Sequence, residues 1–96
     1  MFPTLECLHA VIDGRVQGVG CRMFVLEEAR DLELTGWVRN TYSGQVEVLA
    51  EGPRPVLEIF LEALQRGPRG AWVESVQQDW QPASGQFPSF EVARTV

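Results

Sequence analysis

Hydrophobic and polar residues alternate along residues 5–13, and this period of two is typical of a strand with one buried face. Similar segments predict strands at 35–40, 45–51 and 72–80, and a short strand or tail at 87–93. In two other segments the apolar residues recur every three or four positions, which indicates amphipathic helices. The first covers 21–33, and the second is opened by the breaker Gly52-Pro53-Arg54-Pro55 and ended by Gly67-Pro68. The predicted order is β-α-β-β-α-β plus a short β.

That order is the split βαβ arrangement of ferredoxin-like folds. We therefore expect an α+β sandwich, in which an antiparallel sheet carries two helices on one face and a short extra C-terminal strand. In each βαβ unit the two strands run parallel, and the inserted strand is antiparallel to both. The first two strands then end at the same edge of the sheet, about 10 Å apart. A glycine-rich loop, residues 14–20, follows the first strand and Asn40 closes the second, so both fall on one rim.

The length of 96 residues predicts a single domain, residues 1–96. No apolar run approaches the ~20 residues that cross a bilayer, and the first residues do not resemble a signal peptide. Two cysteines are too few for a disulfide scaffold, so we expect a cytoplasmic protein in which Cys7 and Cys21 pack as thiols. A net charge of −5 argues against nucleic acid and anionic membranes as partners.

The loop between the first strand and the first helix has the composition of an anion site. Successive N–H groups in such a loop can form a nest, which the positive end of the following helix dipole reinforces. Arg22, at the helix start, adds a planar fork of donors that matches two phosphate oxygens. An arginine is unfavourable at a helix N-terminus, and a bound anion would compensate for it. Spacing alone leaves open the alternative of a flexible turn with a solvent-facing Arg22.

Other chemistry is poorly supported by the sequence. A chain without lysine has no P-loop, and Met23 stands where a dinucleotide fingerprint needs its third glycine. A solitary histidine, His9, and two separated cysteines give no metal-ligand spacing, so we expect no metal and a structural or surface role for His9. The remaining candidates are the anion-binding loop with Arg22 and one side-chain amide, that of Asn40. The sequence contains no evident general acid for this site. An acyl phosphate suits such a site, because its carboxylate leaving group, with a conjugate acid of pKa ~4–5, departs unprotonated.

Two segments resemble the signature motifs of the acylphosphatase family: IDGRVQGVGCR at 12–22 and GWVRNTYSGQVEVLAEG at 36–52. The resemblance implies a ferredoxin-like enzyme that hydrolyses the carboxyl–phosphate bond to a carboxylate and inorganic phosphate, without metal or cofactor. It implies that Arg22 binds the phosphoryl group and that Asn40 orients the attacking water. The phosphate-binding loop that it implies comprises Arg15, Val16, Gln17, Gly18, Val19, Gly20 and Cys21.

One departure from the family pattern lies in the loop. Gly20-Cys21 stands where most members carry an aromatic residue before the arginine, which is expected to loosen the packing of the loop or enlarge the acyl side of the pocket. We expect small-molecule acyl phosphates and inorganic phosphate as partners, and a monomer. The alternative function is a non-catalytic module of the same fold that binds phosphate or carbamoyl phosphate.

Overall fold

The computed structural model describes residues 4–96, and its helices and strands follow the predicted order. The elements are β1 Leu5–Arg15, α1 Cys21–Asp31, β2 Thr35–Asn40, β3 Val46–Pro53, α2 Arg54–Arg66, β4 Trp72–Pro82 and β5 Phe90–Val92. The five strands form one sheet in the order β4-β1-β3-β2-β5. The α+β, ferredoxin-like prediction is confirmed, including the short C-terminal strand.

The sheet is mixed rather than antiparallel throughout. β3 lies between β1 and β2 and is antiparallel to both, and β4 is antiparallel to β1. β5 alone pairs in parallel, because the chain crosses from the β4 edge to the opposite edge and reverses its direction before joining β2. The two strands that precede the predicted site, β1 and β2, therefore run in the same direction, as expected.

The core lies between one face of the sheet and the two helices. Alternation along β1 places Leu8, Ala10 and Ile12 on this face, where each is at most 1% exposed. The helical stripes bury Val25, Leu26 and Ala29 from α1, and Leu57, Phe60, Leu61, Ala63 and Leu64 from α2. Neither helix is long and apolar enough to cross a membrane, within the part of the chain that the structure describes. The helical stripes predicted from periodicity are the buried faces.

The boundaries of several elements differ from the prediction. Gly14 and Arg15 belong to β1, since they pair with Val73 and Trp72 on β4 after a bulge between Asp13 and Gly14. A Cβ at Gly14, whose φ is 134°, would overlap the carbonyl oxygen of Trp72. Gly52 and Pro53, predicted as helix breakers, extend β3 by pairing with Glu6 and Leu5. Pairing partners far away in the sequence thus lengthen strands that local composition ends earlier. Smaller shifts affect the end of α1, the start of β3, the end of β4, and β5, which covers only Phe90–Val92.

A buried carboxylate on the other face of the sheet holds the connection between β4 and β5. Glu51, 5% exposed, accepts hydrogen bonds from the N–H groups of Ser84 at 2.8 Å and Gly85 at 2.9 Å, and from the Ser84 hydroxyl at 2.8 Å. Burial by itself would raise the pKa of Glu51, but these bonds outweigh it, and the pKa lies below its usual value. Cys7 lies opposite in the register, and burial together with the Glu51 charge raises the pKa of its thiol to about 11.

Candidate active site

The register of the sheet brings the end of β2 level with the end of β1, with β3 between them. Asn40 pairs with Val46 on β3, and Val46 pairs on its other side with Ile12 of β1. The loop that follows β1 leads directly into α1, so the helix begins at the same edge of the sheet. The rim predicted from the element order therefore contains the end of β2, the loop and a helix N-terminus.

A small pocket joins the loop to Asn40. Its volume is about 100 Å³, and its lining residues are Val16, Gly18, Gly20, Cys21, Arg22, Met23 and Asn40. A water molecule occupies roughly 30 Å³ of liquid, so the pocket has room for about three waters. A space of that size accommodates a small tetrahedral anion but not a large organic group.

The backbone of this pocket is rich in free donors. Among residues 4–96, no hydrogen bond is donated by a backbone N–H between Val16 and Met23. The first such bond comes from Phe24 to the carbonyl of Gly20. Gly18 and Gly20 have φ values of 74° and 78°, in the left-handed region that glycine adopts readily and that bends a loop into a nest. The unsatisfied N–H groups of a helix N-terminus attract anions.

The charges at the start of α1 also favour an anionic ligand. Gly20 caps the helix without a side-chain hydrogen bond, and the first turn contains no acidic residue. Arg22 is exposed and forms no ion pair with any of the residues that the structure describes. A cation beside the positive end of a helix dipole is unfavourable unless an anion lies near both. The electrostatics of this helix start therefore favour an anionic ligand.

The side chain of Asn40 has an unsatisfied acceptor. Its Oδ1 atom is buried and has no hydrogen-bond partner within residues 4–96. Buried polar atoms are nearly always hydrogen-bonded, so each exception calls for a partner such as a water or a ligand. Because Asn40 lines the same pocket as Arg22, that partner would lie beside the anion site.

The pocket includes only some of the loop residues predicted from the resemblance. Val16, Gly18, Gly20 and Cys21 line it, whereas Val19 packs against the core. Arg15 lies on β1 rather than in the loop, and its side chain lines a separate cavity of about 220 Å³ with Trp72 and Glu74. Met23 also lines the pocket, although it is not among the site residues predicted from the sequence. Its position one residue after Arg22 was the only signal that could have indicated it.

Gln17 connects the loop to the turn between β2 and β3. Its side-chain amide donates to the carbonyl oxygens of Thr41 at 2.7 Å and Gln45 at 2.8 Å. The Thr41 hydroxyl in turn accepts from the N–H of Gln45 at 3.1 Å. Gln17 therefore fixes the loop against the residue that follows Asn40. These partners could not be predicted from local patterns, because they lie 24 and 28 residues away along the chain.

The C-terminal residues support Asn40 from the other side. The N–H of Val96 donates to the carbonyl of Asn40 at 3.3 Å, and the N–H of Tyr42 donates to the carbonyl of Val96 at 2.7 Å. The end of the chain thus continues along the edge of β2 past β5. The backbone of Asn40 is held by β3 on one side and by the C-terminal residues on the other.

Cys21 is a packing residue at the base of the pocket. It is 3% exposed and belongs to the hydrophobic core. Burial raises the pKa of its thiol, which disfavours the thiolate that a nucleophile requires. His9 also takes no part in the pocket: its Nε2 contacts Glu47 Oε2 at 2.6 Å on the opposite face of the sheet. The burial of Cys21 and the contact of His9 with Glu47 agree with the packing and structural roles expected of them, and the place of Cys21 in a phosphate-binding loop stays a prediction.

The fold and the pocket define a ferredoxin-like α+β protein with free backbone donors at a helix N-terminus. The sequence pattern of the acylphosphatase family matches residues 8–92. An acylphosphatase of Salinibacter ruber is 52% identical over 91 residues, which are 95% of this chain and 96% of that protein. An acylphosphatase of Acaryochloris marina is 44% identical over 94 residues, which are 98% of this chain and 100% of that protein.

A solved structure agrees with these relatives. The crystal structure of acylphosphatase from Bacillus subtilis matches with a TM-score of 0.89 and 38% sequence identity, over 92% of this chain and 98% of that one. The chain belongs to the acylphosphatase family, and its function is that of an acylphosphatase enzyme.

Proposed function

We propose that Arg22 and the backbone N–H groups of the loop bind the phosphoryl group of an acyl phosphate, while Asn40 orients the water that attacks it. One observation carries the proposal: the free donors, an unpaired guanidinium and the unpartnered Oδ1 of Asn40 border the same pocket of about 100 Å³. Residues 16–21 of the loop would surround the phosphoryl group together with the guanidinium of Arg22.

Binding of the phosphoryl group follows from charge and geometry. Its oxygens accept hydrogen bonds from the free N–H groups, and the helix dipole favours their negative charge. The guanidinium of Arg22 offers two parallel donors to two of these oxygens. As charge shifts among the phosphoryl oxygens in the transition state, donors already in place stabilise it without reorganisation.

The attacking water is oriented by an acceptor. Asn40 Oδ1 accepts one O–H of the water, which turns a lone pair of the water oxygen towards phosphorus. The new P–O bond forms as the bond between phosphorus and the acyl oxygen breaks. The electron pair of the broken bond leaves with the carboxylate, and the protons of the water remain with the phosphate or pass to solvent. The leaving carboxylate needs no general acid, since its conjugate acid has a pKa of ~4–5.

The pocket is open at Gly20, on the side where we place the acyl group. A Cβ placed there would meet no atom within 4 Å among the described residues. Gly20 therefore leaves room beside the pocket, and we infer that acyl groups of differing size fit there.

Hydrolysis of benzoyl phosphate and carbamoyl phosphate by the purified protein, after exhaustive EDTA treatment, tests the proposal. We expect release of inorganic phosphate from both, at rates that EDTA leaves unchanged. Phosphate binding in a calorimeter without turnover would instead favour the non-catalytic module. Loss of activity on chelation, with recovery on adding a metal, would overturn the metal-independent mechanism.

We also propose that the protein acts as a monomer of one domain in the cytoplasm. Both cysteines are free and buried, which is compatible with a reducing compartment. Sedimentation at micromolar concentration measures the oligomeric state directly, and a dimer mass would contradict the proposal.

A further inference from the structure

The arginines fall into two groups. Arg30, Arg39 and Arg54 form ion pairs with carboxylates at 2.8–3.6 Å. The other five are exposed and form no ion pair with any residue of the described range 4–96: Arg15, Arg22, Arg66, Arg69 and Arg94. The chain contains thirteen acidic residues and has a net charge of −5. Acidic residues are therefore plentiful in the composition, but none of those described lies within ion-pair distance of these five arginines.

Topology places all five at the end of the sheet that contains the pocket. Arg15 ends β1 and pairs with Trp72, so the connection from α2 to β4, which contains Arg69, reaches the same end. Arg66 lies in the last turn of α2, immediately before this connection. Arg94 follows β5, whose continuation reaches Asn40 through Val96. Five arginines without an ion pair thus lie towards one end of the acidic protein.

A wide groove lies at this end, formed mainly by the connection from α2 to β4. Its volume is about 560 Å³, and its lining includes Phe24, Arg66 and Arg69 together with the backbone of the connection from α2 to β4. Phe24 is the next residue after Met23, which lines the pocket. Consecutive residues near the start of α1 therefore contribute to both spaces.

A structural role explains only part of this arrangement. An arginine in the last turn of a helix interacts favourably with the helix dipole, and this accounts for Arg66. Arg69 lies beyond the helix, and the dipole effect falls off within the last turn. Arg66 and Arg69 line the same groove, so an anion bound there would offset the repulsion between their two charges.

We propose that Arg66 and Arg69 form a second anion subsite, which binds the charged end of the acyl group. The preferred substrates are then acyl phosphates whose acyl chain ends in a carboxylate or a second phosphate. The inference rests on the proposed function, since the first anionic group is the phosphoryl group in the pocket.

Succinyl phosphate and butyryl phosphate provide a matched pair of substrates, because their four-carbon chains differ only in the terminal carboxylate. We expect a higher kcat/KM for succinyl phosphate at low ionic strength, where exposed charges are least screened. The double variant Arg66→Gln/Arg69→Gln is expected to lower the succinyl-to-butyryl ratio about 2- to 30-fold, the range for two exposed ion pairs. Its kcat/KM for butyryl phosphate should stay within about twofold of the wild type.

Arg30→Gln is the control variant. It removes one positive charge at the last turn of α1, the end of that helix remote from the pocket. Its substrate ratio should remain that of the wild type, and thermal melts establish that both variants are folded. An unchanged ratio in the double variant, or an equal fall in Arg30→Gln, would overturn the subsite.

A binding experiment separates this inference from the proposed function. 4-Phosphonobutyrate carries both anionic groups, whereas butylphosphonate lacks the carboxylate, and neither can be hydrolysed. Tighter binding of 4-phosphonobutyrate by the wild type, lost in Arg66→Gln/Arg69→Gln, supports the subsite whether or not the protein turns over acyl phosphates. Equal affinities for the two phosphonates would reject the subsite and leave acyl phosphate hydrolysis untouched.

Discussion

The side-chain amide of Gln17 donates a 2.7 Å hydrogen bond to the carbonyl oxygen of Thr41. Gln17 belongs to the loop after β1, and Thr41 directly follows Asn40 at the end of β2. The hydrogen bond therefore couples the position of the backbone donors to that of the carboxamide. A reaction that needs an anion site and an oriented water at a fixed separation depends on such coupling.

Replacing Gln17 by alanine removes this connection. We expect kcat for benzoyl phosphate to fall about 10-fold, since small displacements of positioned groups are costly, and stability to fall by about 1–2 kcal/mol. Steady-state kinetics and urea denaturation measure the two effects. Gln77→Ala is the matched control, because Gln77 is exposed on β4 and its side chain forms no hydrogen bond within residues 4–96. Wild-type kcat in Gln17→Ala would remove this residue from the positioning of the site.

Arg22→Gln is expected to abolish benzoyl phosphate hydrolysis and to weaken inhibition by inorganic phosphate. A charge-assisted hydrogen bond to the phosphoryl group contributes about 1.5–3 kcal/mol, and glutamine cannot offer two parallel charged donors. Arg22→Lys keeps the charge without the planar fork and should recover only a small part of the activity. Unchanged phosphate inhibition in Arg22→Gln would count against phosphoryl binding by Arg22 and the loop.

Asn40→Ala is expected to lower kcat about 100-fold, by analogy with removal of one positioned polar group. The phosphate inhibition constant should stay within about twofold, because the proposed role of Asn40 concerns the water rather than the phosphoryl group. Kinetics with benzoyl phosphate and inhibition by phosphate, measured on the same preparation, distinguish the two roles. A large loss of phosphate affinity would show that Asn40 binds the anion instead.

Glu51 is expected to make stability depend on pH. Its pKa in the folded protein lies below the usual value, so the stabilisation is present above the unfolded pKa of about 4.3 and is lost as pH falls through the folded pKa. Glu51→Gln should cost about 1–3 kcal/mol at pH 7, and the difference from the wild type should shrink as pH falls below about 4.

Urea denaturation at pH 7, 5 and 3.5 measures this dependence. Glu62→Gln serves as the control, because Glu62 is exposed on α2 and its carboxylate accepts no hydrogen bond from the described residues. A difference between wild type and Glu51→Gln that stays constant over this range would refute the assignment.

The sequence by itself determined the order of the elements and the rim on which the site lies. Periods of two and of three to four residues are local properties, so β1, β2, α1 and α2 could be placed from the chain alone. The βαβ order then fixed that the loop and Asn40 share one edge of the sheet. Glycines at 18 and 20 and an arginine at the helix start, Arg22, indicated the candidate anion site for equally local reasons.

Only the tertiary structure decided which residues complete that site. Gly14 and Arg15 joined β1 because β4, nearly sixty residues later, offers Val73 and Trp72 as hydrogen-bond partners. The hydrogen-bond partners of Gln17 lie in the turn between β2 and β3, and the buried acceptor of Asn40 lines one pocket with residues of the loop. The five arginines without an ion pair likewise come from chain segments that are far apart in the sequence. Hydrogen bonds, burial and electrostatic fields depend on distance in space, which a pattern along the chain does not contain.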